Sequence, residues 1–202
     1  MRAKEFIPEG IHKNTAIQPG NPDEWFMKDH SESSWSVNDT LHKHYRGNSE
    51  INPRTLVGRH IKKMDKVLSK FVLDKPAKVY SGIPVSIEDA YKEYKADKSK
   101  PIRLHLPAYT STTTSLVQAS NFASYANKNN NFLQVLLIEL PIGTPAVSIK
   151  NVSNYEYEKE VLLPRGMNIE VQPKPNVIEK NNKKIYIWQA KALGHSPIQI
   201  FR

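Results

Sequence analysis

Apolar positions follow two regimes along the 202-residue chain: helical spacing first, then short strand-like runs. From about Ser36, Val37, Leu41 and Tyr45 recur every four residues, predicting a short amphipathic helix that ends near Gly47. Asn52 is a good N-cap and Pro53 suits a first helical position. Leu56, Ile61, Met64, Leu68 and Phe71 then line one helix face, with Lys62, Lys63, Lys66 and Lys70 opposite. A third helix is expected from Ser86 to about Lys95, with Asp89 in a capping-box-like place, and a fourth after Thr113. Strand candidates are AKVYSG (77–82), the nearly continuous apolar run FLQVLLIEL (132–140), and PAVSI, KEVLLP, MNIEVQ, KIYIWQA and IQIF, separated by Pro, Gly or Asn. Helices followed by closely spaced strands give an α+β class, N-terminal helices packed on two antiparallel sheets in a sandwich-like core. Residues 1–40 are dense in Pro, Gly and Asn without a sustained period. They read as a poorly ordered lead-in to a domain spanning 41–202, with Trp25, Phe26 and Trp35 as possible docking points.

Charge changes this picture. The chain carries 29 Lys and Arg against 20 Asp and Glu, a net +9. Residues 1–40 hold four basic and seven acidic side chains, so the remainder carries +12. A basic body fits an anionic partner, or is ordinary solvated lysine. The absence of cysteine excludes disulfides, zinc ribbons and thiol nucleophiles. The histidines show no ligand spacing, so no metal is expected. No apolar run approaches the roughly 20 residues of a membrane span, and no signal peptide opens the sequence. The expectation is a monomeric cytoplasmic protein without a membrane partner.

Three places carry candidate chemistry. In NYEYEKEVLLPRG (154–166), Glu156, Glu158 and Glu160 alternate, which on a strand puts three carboxylates on one face. That is an exposed polar edge, or a carboxylate pair at a cleft able to hold a sugar hydroxyl and stabilise a developing cation. LPAYTSTTTS (106–115) carries a hydroxyl at every position from Thr110 to Ser115, which caps a helix or lines a pocket. VYSGIP (79–84) is a strand ending in a glycine turn.

In this order, the three pieces resemble the mono-ADP-ribosyltransferase family of the arginine–serine–glutamate type, met in bacterial toxins and bacteriophage enzymes. YTSTT (109–113) is similar to its aromatic-x-Ser-Thr-Ser strand, with Ser111, Thr112 and Thr113 on the last three positions. ASNFA (119–123) is similar to the helix that follows that strand. LLIELPIGTPAVSI (136–149) resembles the strand-Pro-x-Gly-strand segment before the catalytic loop. EKEVLLPRG (158–166) resembles the Glu-x-Glu motif, and HYRGNSEINPRTL (44–56) the start of the helix that lines the dinucleotide cleft. Where the family places an arginine after its first "VY", this chain has Ser81.

The resemblance implies cleavage of the nicotinamide–ribose bond of NAD and transfer of ADP-ribose to an acceptor, a protein arginine before RNA. Glu160 would stabilise the oxocarbenium-like ribose, Glu158 would activate the acceptor, and Ser111 would hold Glu160. Tyr80, Ser81, Gly82, Tyr109, Thr112, Thr113 and Asn52 would line the NAD site. Arg54 in the first helical turn, or Arg103 in the loop before HLPAYTST, would replace the missing arginine at the pyrophosphate. Tyr155 and Tyr157 would recognise the target or simply pack. Small size and family likeness suggest a bacteriophage source. An NAD glycohydrolase and a non-catalytic nucleic-acid-binding domain are the alternatives.

Overall fold

The computed structural model describes residues 15–47, 50–83, 86–126, 132–153, 156–180 and 183–196, with nothing stated for the side chains of 31–33, 126 and 156. Among these residues, four helices, α1 (Glu24–Tyr45), α2 (Leu56–Leu68), α3 (Ile87–Glu93) and α4 (Leu116–Ala126), accompany nine strands. The strands are β1 (Ala77–Ile83), β2 (Ile102–Leu106), β3 (Thr110–Thr113), β4 (Phe132–Leu140), β5 (Val147–Ser148), β6 (Glu160–Leu163), β7 (Met167–Val171), β8 (Asn176–Lys180) and β9 (Lys183–His195). The α+β class expected from the pattern is the one observed.

The two expected sheets are joined into one open sheet of order β2-β7-β9-β4-β1-β3-β6-β5, with β8 pairing β9. The link is the β1–β3 pairing, where Tyr80 stands opposite Thr113. Pairing is antiparallel except between β4 and β9, which run parallel and make the sheet mixed. One core gathers Val79, Ile138 and Trp188 from the long half with Val161 and Leu163 of β6. A second lies where α1 and α2 cover the short half, with Met27, Leu41, Ile61 and Met64 around Leu162, Val147 and Ile149. β6 is therefore buried on both faces, which is why its apolar run does not alternate. A third core packs α4 on β1, β4 and β9.

Two N-terminal expectations are corrected. The first helix starts at Glu24, not near Ser36, so the expected boundary at residue 40 falls inside α1. Ile17 and Met27 are fully buried in the second core. Phe26 packs as expected, its ring 4.6 Å from that of His60, whereas Trp25 and Trp35 are 85% and 79% exposed. The N-cap of α2 is Thr55, whose Oγ1 accepts from the Gly58 N–H at 3.1 Å. Asn52 instead shapes the preceding turn, its Oδ1 accepting from the Arg54 N–H at 2.8 Å. Gly58 permits this arrangement, because a Cβ there would stand 2.2 Å from the Asn52 carbonyl oxygen. The IQIF segment lies outside the described residues.

Candidate active site

β3 and β6 pair so that Thr113 faces Glu160 and Ser111 faces Leu162. Residues two apart share a strand face, so Ser111 stands diagonally across from Glu160. Its Oγ–H donates to Glu160 Oε1. Glu160 is 8% exposed, and burial pushes its carboxyl above the usual range; the Ser111 hydrogen bond lowers it and the nearby Glu158 charge raises it further. Two further hydroxyls of the cluster tie β3 to β6 and the turn before it. Thr112 Oγ1 donates to the Val161 carbonyl and Thr113 Oγ1 to the Glu158 carbonyl, each at 2.5 Å.

The strand alternation expected at 156–160 is not observed. Glu156–Glu158 form a single 3₁₀ turn and the strand begins at Glu160. Lys159 between them adopts φ +49°, a left-handed conformation costly for a side-chain-bearing residue. The turn leaves Glu158 half-buried, and desolvation raises its carboxyl. Two carboxylates, one fixed and buried, one more accessible, thus sit on either side of a single residue.

The remaining expected site residues divide. Ser81 is buried, and its Oγ–H donates to the Ser111 carbonyl at 3.2 Å, which ties β1 to the same centre. Tyr80, paired with Thr113, lies on the same sheet face as Ser111, Thr113 and Glu160 and packs under α4. Gly82 is where α4 crosses β1: a Cβ would stand 2.2 Å from the Ala119 carbonyl oxygen, so its absence of side chain serves packing. Tyr109 is buried in the second core rather than open to a ligand. Its hydroxyl lies 2.6 Å from Asp65 Oδ1 and 3.0 Å from the Ile61 carbonyl, and burial with the Asp65 charge raises its pKa. Asn52 and Arg54 are exposed in the turn before α2. Arg103 is on β2 rather than in a loop, at the far end of the sheet order from β3 and β6; its side chain is 77% exposed, 3.5 Å from Glu170. Tyr157 is exposed beside the glutamates, and Tyr155 lies outside the described residues.

One pair went unrecognised in the sequence. Arg165, in the LLPRG tail, is buried and grips Asp65 of α2, with Nε 3.1 Å from both carboxylate oxygens and Nη2 2.7 Å from Oδ2. Asp65 thereby holds Tyr109, just before β3, and Arg165, just after β6. The signal for it is one acid among the lysines of α2, beside the buried Met64 on the inward stripe.

Among the described residues no group of three His, Asp or Glu could hold a metal ion, and no helix is long and apolar enough to cross a membrane. A fixed buried carboxylate is suited to stabilising a cation that develops during bond breaking. Solved structures share the fold. Plx2a, an ADP-ribosyltransferase toxin from Paenibacillus larvae, superposes with a TM-score of 0.62 at 19% identity, over 86% of this chain and 87% of that one. C3stau2 from S. aureus, a structure with NAD, gives 0.57 at 20% identity, over 85% and 86%. The enzymatic component C2-I of the C2-toxin from Clostridium botulinum gives 0.62 at 14% identity, over 85% of this chain and 44% of that one. No curated protein matches the sequence. The sequence model of the ADP-ribosyltransferase exoenzymes matches residues 26–193, beginning within α1. The chain belongs to the ADP-ribosyltransferase exoenzyme family.

Proposed function

We propose that the protein is an NAD-dependent mono-ADP-ribosyltransferase that modifies an arginine of a protein in the cytoplasm, acting as a monomer. The reading rests on one observation: Glu160 is buried at the head of β6 with its carboxylate fixed by Ser111, and Glu158 stands half-buried two residues earlier. The bond from the ribose anomeric carbon to the nicotinamide nitrogen breaks, and nicotinamide leaves neutral with the electron pair. Positive charge passes to the ribose, where the Glu160 carboxylate stabilises it. A guanidinium nitrogen of the acceptor then bonds to the anomeric carbon and gives up a proton, which Glu158 accepts. Thr113 would line the nicotinamide side. Arg54 is the favoured cation for the pyrophosphate, because the start of α2 already favours anions; Arg103 is set aside by its position on β2 and its partner Glu170.

The test is incubation of the protein with labelled NAD and a cell lysate, followed by mass spectrometry of the modified residues. Label on arginine supports the reading; label on RNA, free ADP-ribose alone, or no turnover contradicts it. Glu160→Gln should lower both transfer and NAD hydrolysis by about 10²–10³. Glu158→Gln should lower transfer steeply while slow hydrolysis survives. Equal loss of both reactions in Glu158→Gln removes the division of labour between the two carboxylates.

A further inference from the structure

Ser111 is exposed, so its place is set by its strand rather than by packing around it. That strand is short. β3 pairs β6 from Thr110 to Thr113, and it meets β1 where Thr113 stands opposite Tyr80. The Ser81 hydroxyl adds one contact, at the Ser111 carbonyl. Past Leu163 the β3–β6 ladder ends at Pro164, which has no N–H to give. Ser111, opposite Leu162, therefore stands one residue from the end of the ladder. Two residues before it, on the same strand face, Tyr109 is pinned by both helices that cover this end. Asn38 of α1 donates its Nδ2–H to the Tyr109 carbonyl at 3.2 Å, and the Tyr109 hydroxyl donates to Asp65 Oδ1 of α2 at 2.6 Å. The same carboxylate grips Arg165, two residues after the end of β6. One side chain on α2 thus ties the entry of β3 to the exit of β6.

Anchoring the fold does not account for the hydroxyl. Arg165 already meets both Asp65 oxygens, so the guanidinium is neutralised without Tyr109. A phenylalanine would fill the same space in the second core, and a buried hydroxyl costs desolvation unless its bond is used. What the third bond adds is a fixed position for the chain at residue 109. Successive strand residues advance about 3.4 Å, so Tyr109 lies about 7 Å from Ser111 along β3. A displacement at Tyr109 is carried over that short span to the hydroxyl that holds Glu160, and a hydrogen bond weakens steeply once its distance and angle change. We infer that Tyr109 and Asp65 are positioning residues for NAD cleavage: they hold β3 against β6 so that the Ser111 hydroxyl stays on the Glu160 carboxylate. The inference rests on the proposed role of Glu160 and concerns what keeps that carboxylate in place.

The Ser111 hydrogen bond lowers the Glu160 pKa, against burial and the Glu158 charge, which raise it. Losing that bond moves the carboxyl up, and the shift reports the contact without any turnover. The full chain, with glutamate labelled by carbon-13 at the side-chain carboxyl, is titrated by NMR, and the Glu160 signal is assigned by its loss in Glu160→Gln. Tyr109→Phe should raise the Glu160 midpoint in the same direction as Ser111→Ala. The double variant should rise no further than Ser111→Ala alone, because both changes break one contact. In Tyr109→Phe the kcat of NAD hydrolysis should fall about tenfold or more with KM little changed, since misplacing a reacting group by 1 Å costs up to about 10² in rate. Tyr91→Phe is the control for stability alone. It removes a buried hydroxyl from the Lys100 carbonyl in the first core, and should lower melting while leaving midpoint and kcat at wild-type values. Should Tyr109→Phe fail to fold, Asn38→Ala loosens the same residue at its carbonyl and should move both readings the same way by less. An unmoved midpoint in the variant that folds, additivity with Ser111→Ala, or equal effects in Tyr91→Phe overturns the inference. Absence of turnover in the wild type overturns the proposed function instead, and the titration still decides whether Tyr109 places Ser111.

Discussion

Glu160 and Arg165 stand at the two ends of β6, both buried, and the protein treats their charges in opposite ways. Arg165 is neutralised: a bidentate grip on Asp65, which also receives the Tyr109 hydroxyl, satisfies the guanidinium with an opposite charge and good geometry. Glu160 has a neutral hydroxyl for a partner and a second carboxylate nearby, so burial raises its carboxyl instead of being offset. Arg165, which holds the fold, is compensated within it, whereas Glu160 lacks an opposite charge, as the proposed role of meeting a developing cation requires.

Removing the compensation at the quiet end gives the largest expected effect. Asp65→Ala leaves Arg165 buried without its anion and Tyr109 without its acceptor, and should cost about 3–5 kcal/mol. Urea unfolding measures it. A loss below about 1 kcal/mol would show that water or a side-chain shift rescues the guanidinium and that the two ends are not different in kind.

The site end was far more legible in the sequence than the anchoring end. Ser111, Glu158 and Glu160 stand in short motifs where a hydroxyl cluster and paired glutamates have few structural uses. Asp65 and Arg165 are a hundred residues apart and look like ordinary surface charges until the fold brings them together. The class was readable because β4, β6, β7 and β9 carry apolar runs. The edge strand β8 was not, since its residues are mostly exposed and lack alternation. Ile102, Leu104 and Leu106 do alternate in β2, but Pro101 and Pro107 at its two ends give the stretch the look of a loop. The start of α1 was hidden because His30 and Ser34 interrupt the inward stripe of Met27, Val37 and Leu41, breaking the period. Asn52 and Thr55 are both plausible caps, and the close approach at Gly58 that goes with Thr55 is a tertiary fact. Tyr109 shares a face with Ser111 but lies two residues deeper, which places it under α2.

His30 and His60 extend the comparison to a buried pair that stays neutral. One ring donates to the other, with Tyr109 edge-on to His30 at 5.7 Å. Burial and the His60 charge push His30 from 6.5 down to about 3. Facing groups do not rescue its charged form: Asp29 raises His60, while burial and Lys63 lower it. The unfolded chain protonates His30 below 6.5 and the folded one does not until about 3, so stability present above 6.5 is lost as pH falls through that window. The expected slope from this residue approaches 1.4 kcal/mol per pH unit. Denaturant unfolding from pH 7 to pH 5 in wild type and His30→Phe checks it; parallel curves would mean that the pair is charged or hydrated in the folded state.

Glu160 predicts a smaller change of opposite sign. Its folded pKa is raised, so its contribution is full below the usual carboxylate range and is lost as pH rises through the raised value. Glu160→Gln should therefore melt higher than wild type at neutral pH and converge with it in acid. The same shift, with that of Glu158, moves the acid limb of transfer above the 4.5 of an ordinary glutamate, because both must be ionised to act. A variant that melts lower at neutral pH would place an unrecognised cation beside Glu160.

The smallest effect separates strain at the site from strain elsewhere. Among the described residues, Lys95 and Lys159 are the non-glycine residues with positive φ, each at +49°. Lys95 follows the end of α3, where the next N–H, that of Ala96, reaches back to the Tyr91 carbonyl at 2.9 Å, an ordinary left-handed helix stop that glycine serves better. Lys159 lies between the two glutamates, where the 3₁₀ turn gives way to β6. Replacing either by glycine relieves the side-chain clash but lets the unfolded chain gain freedom, so each should shift stability by at most about 1 kcal/mol, toward a gain. Their effects on the reaction should differ. Lys95→Gly should leave transfer unchanged, while Lys159→Gly frees the link that sets Glu158 relative to Glu160 and should lower transfer more than NAD hydrolysis. Equal transfer rates in the two variants would mean that the Thr113 bond to the Glu158 carbonyl alone holds the glutamates in register.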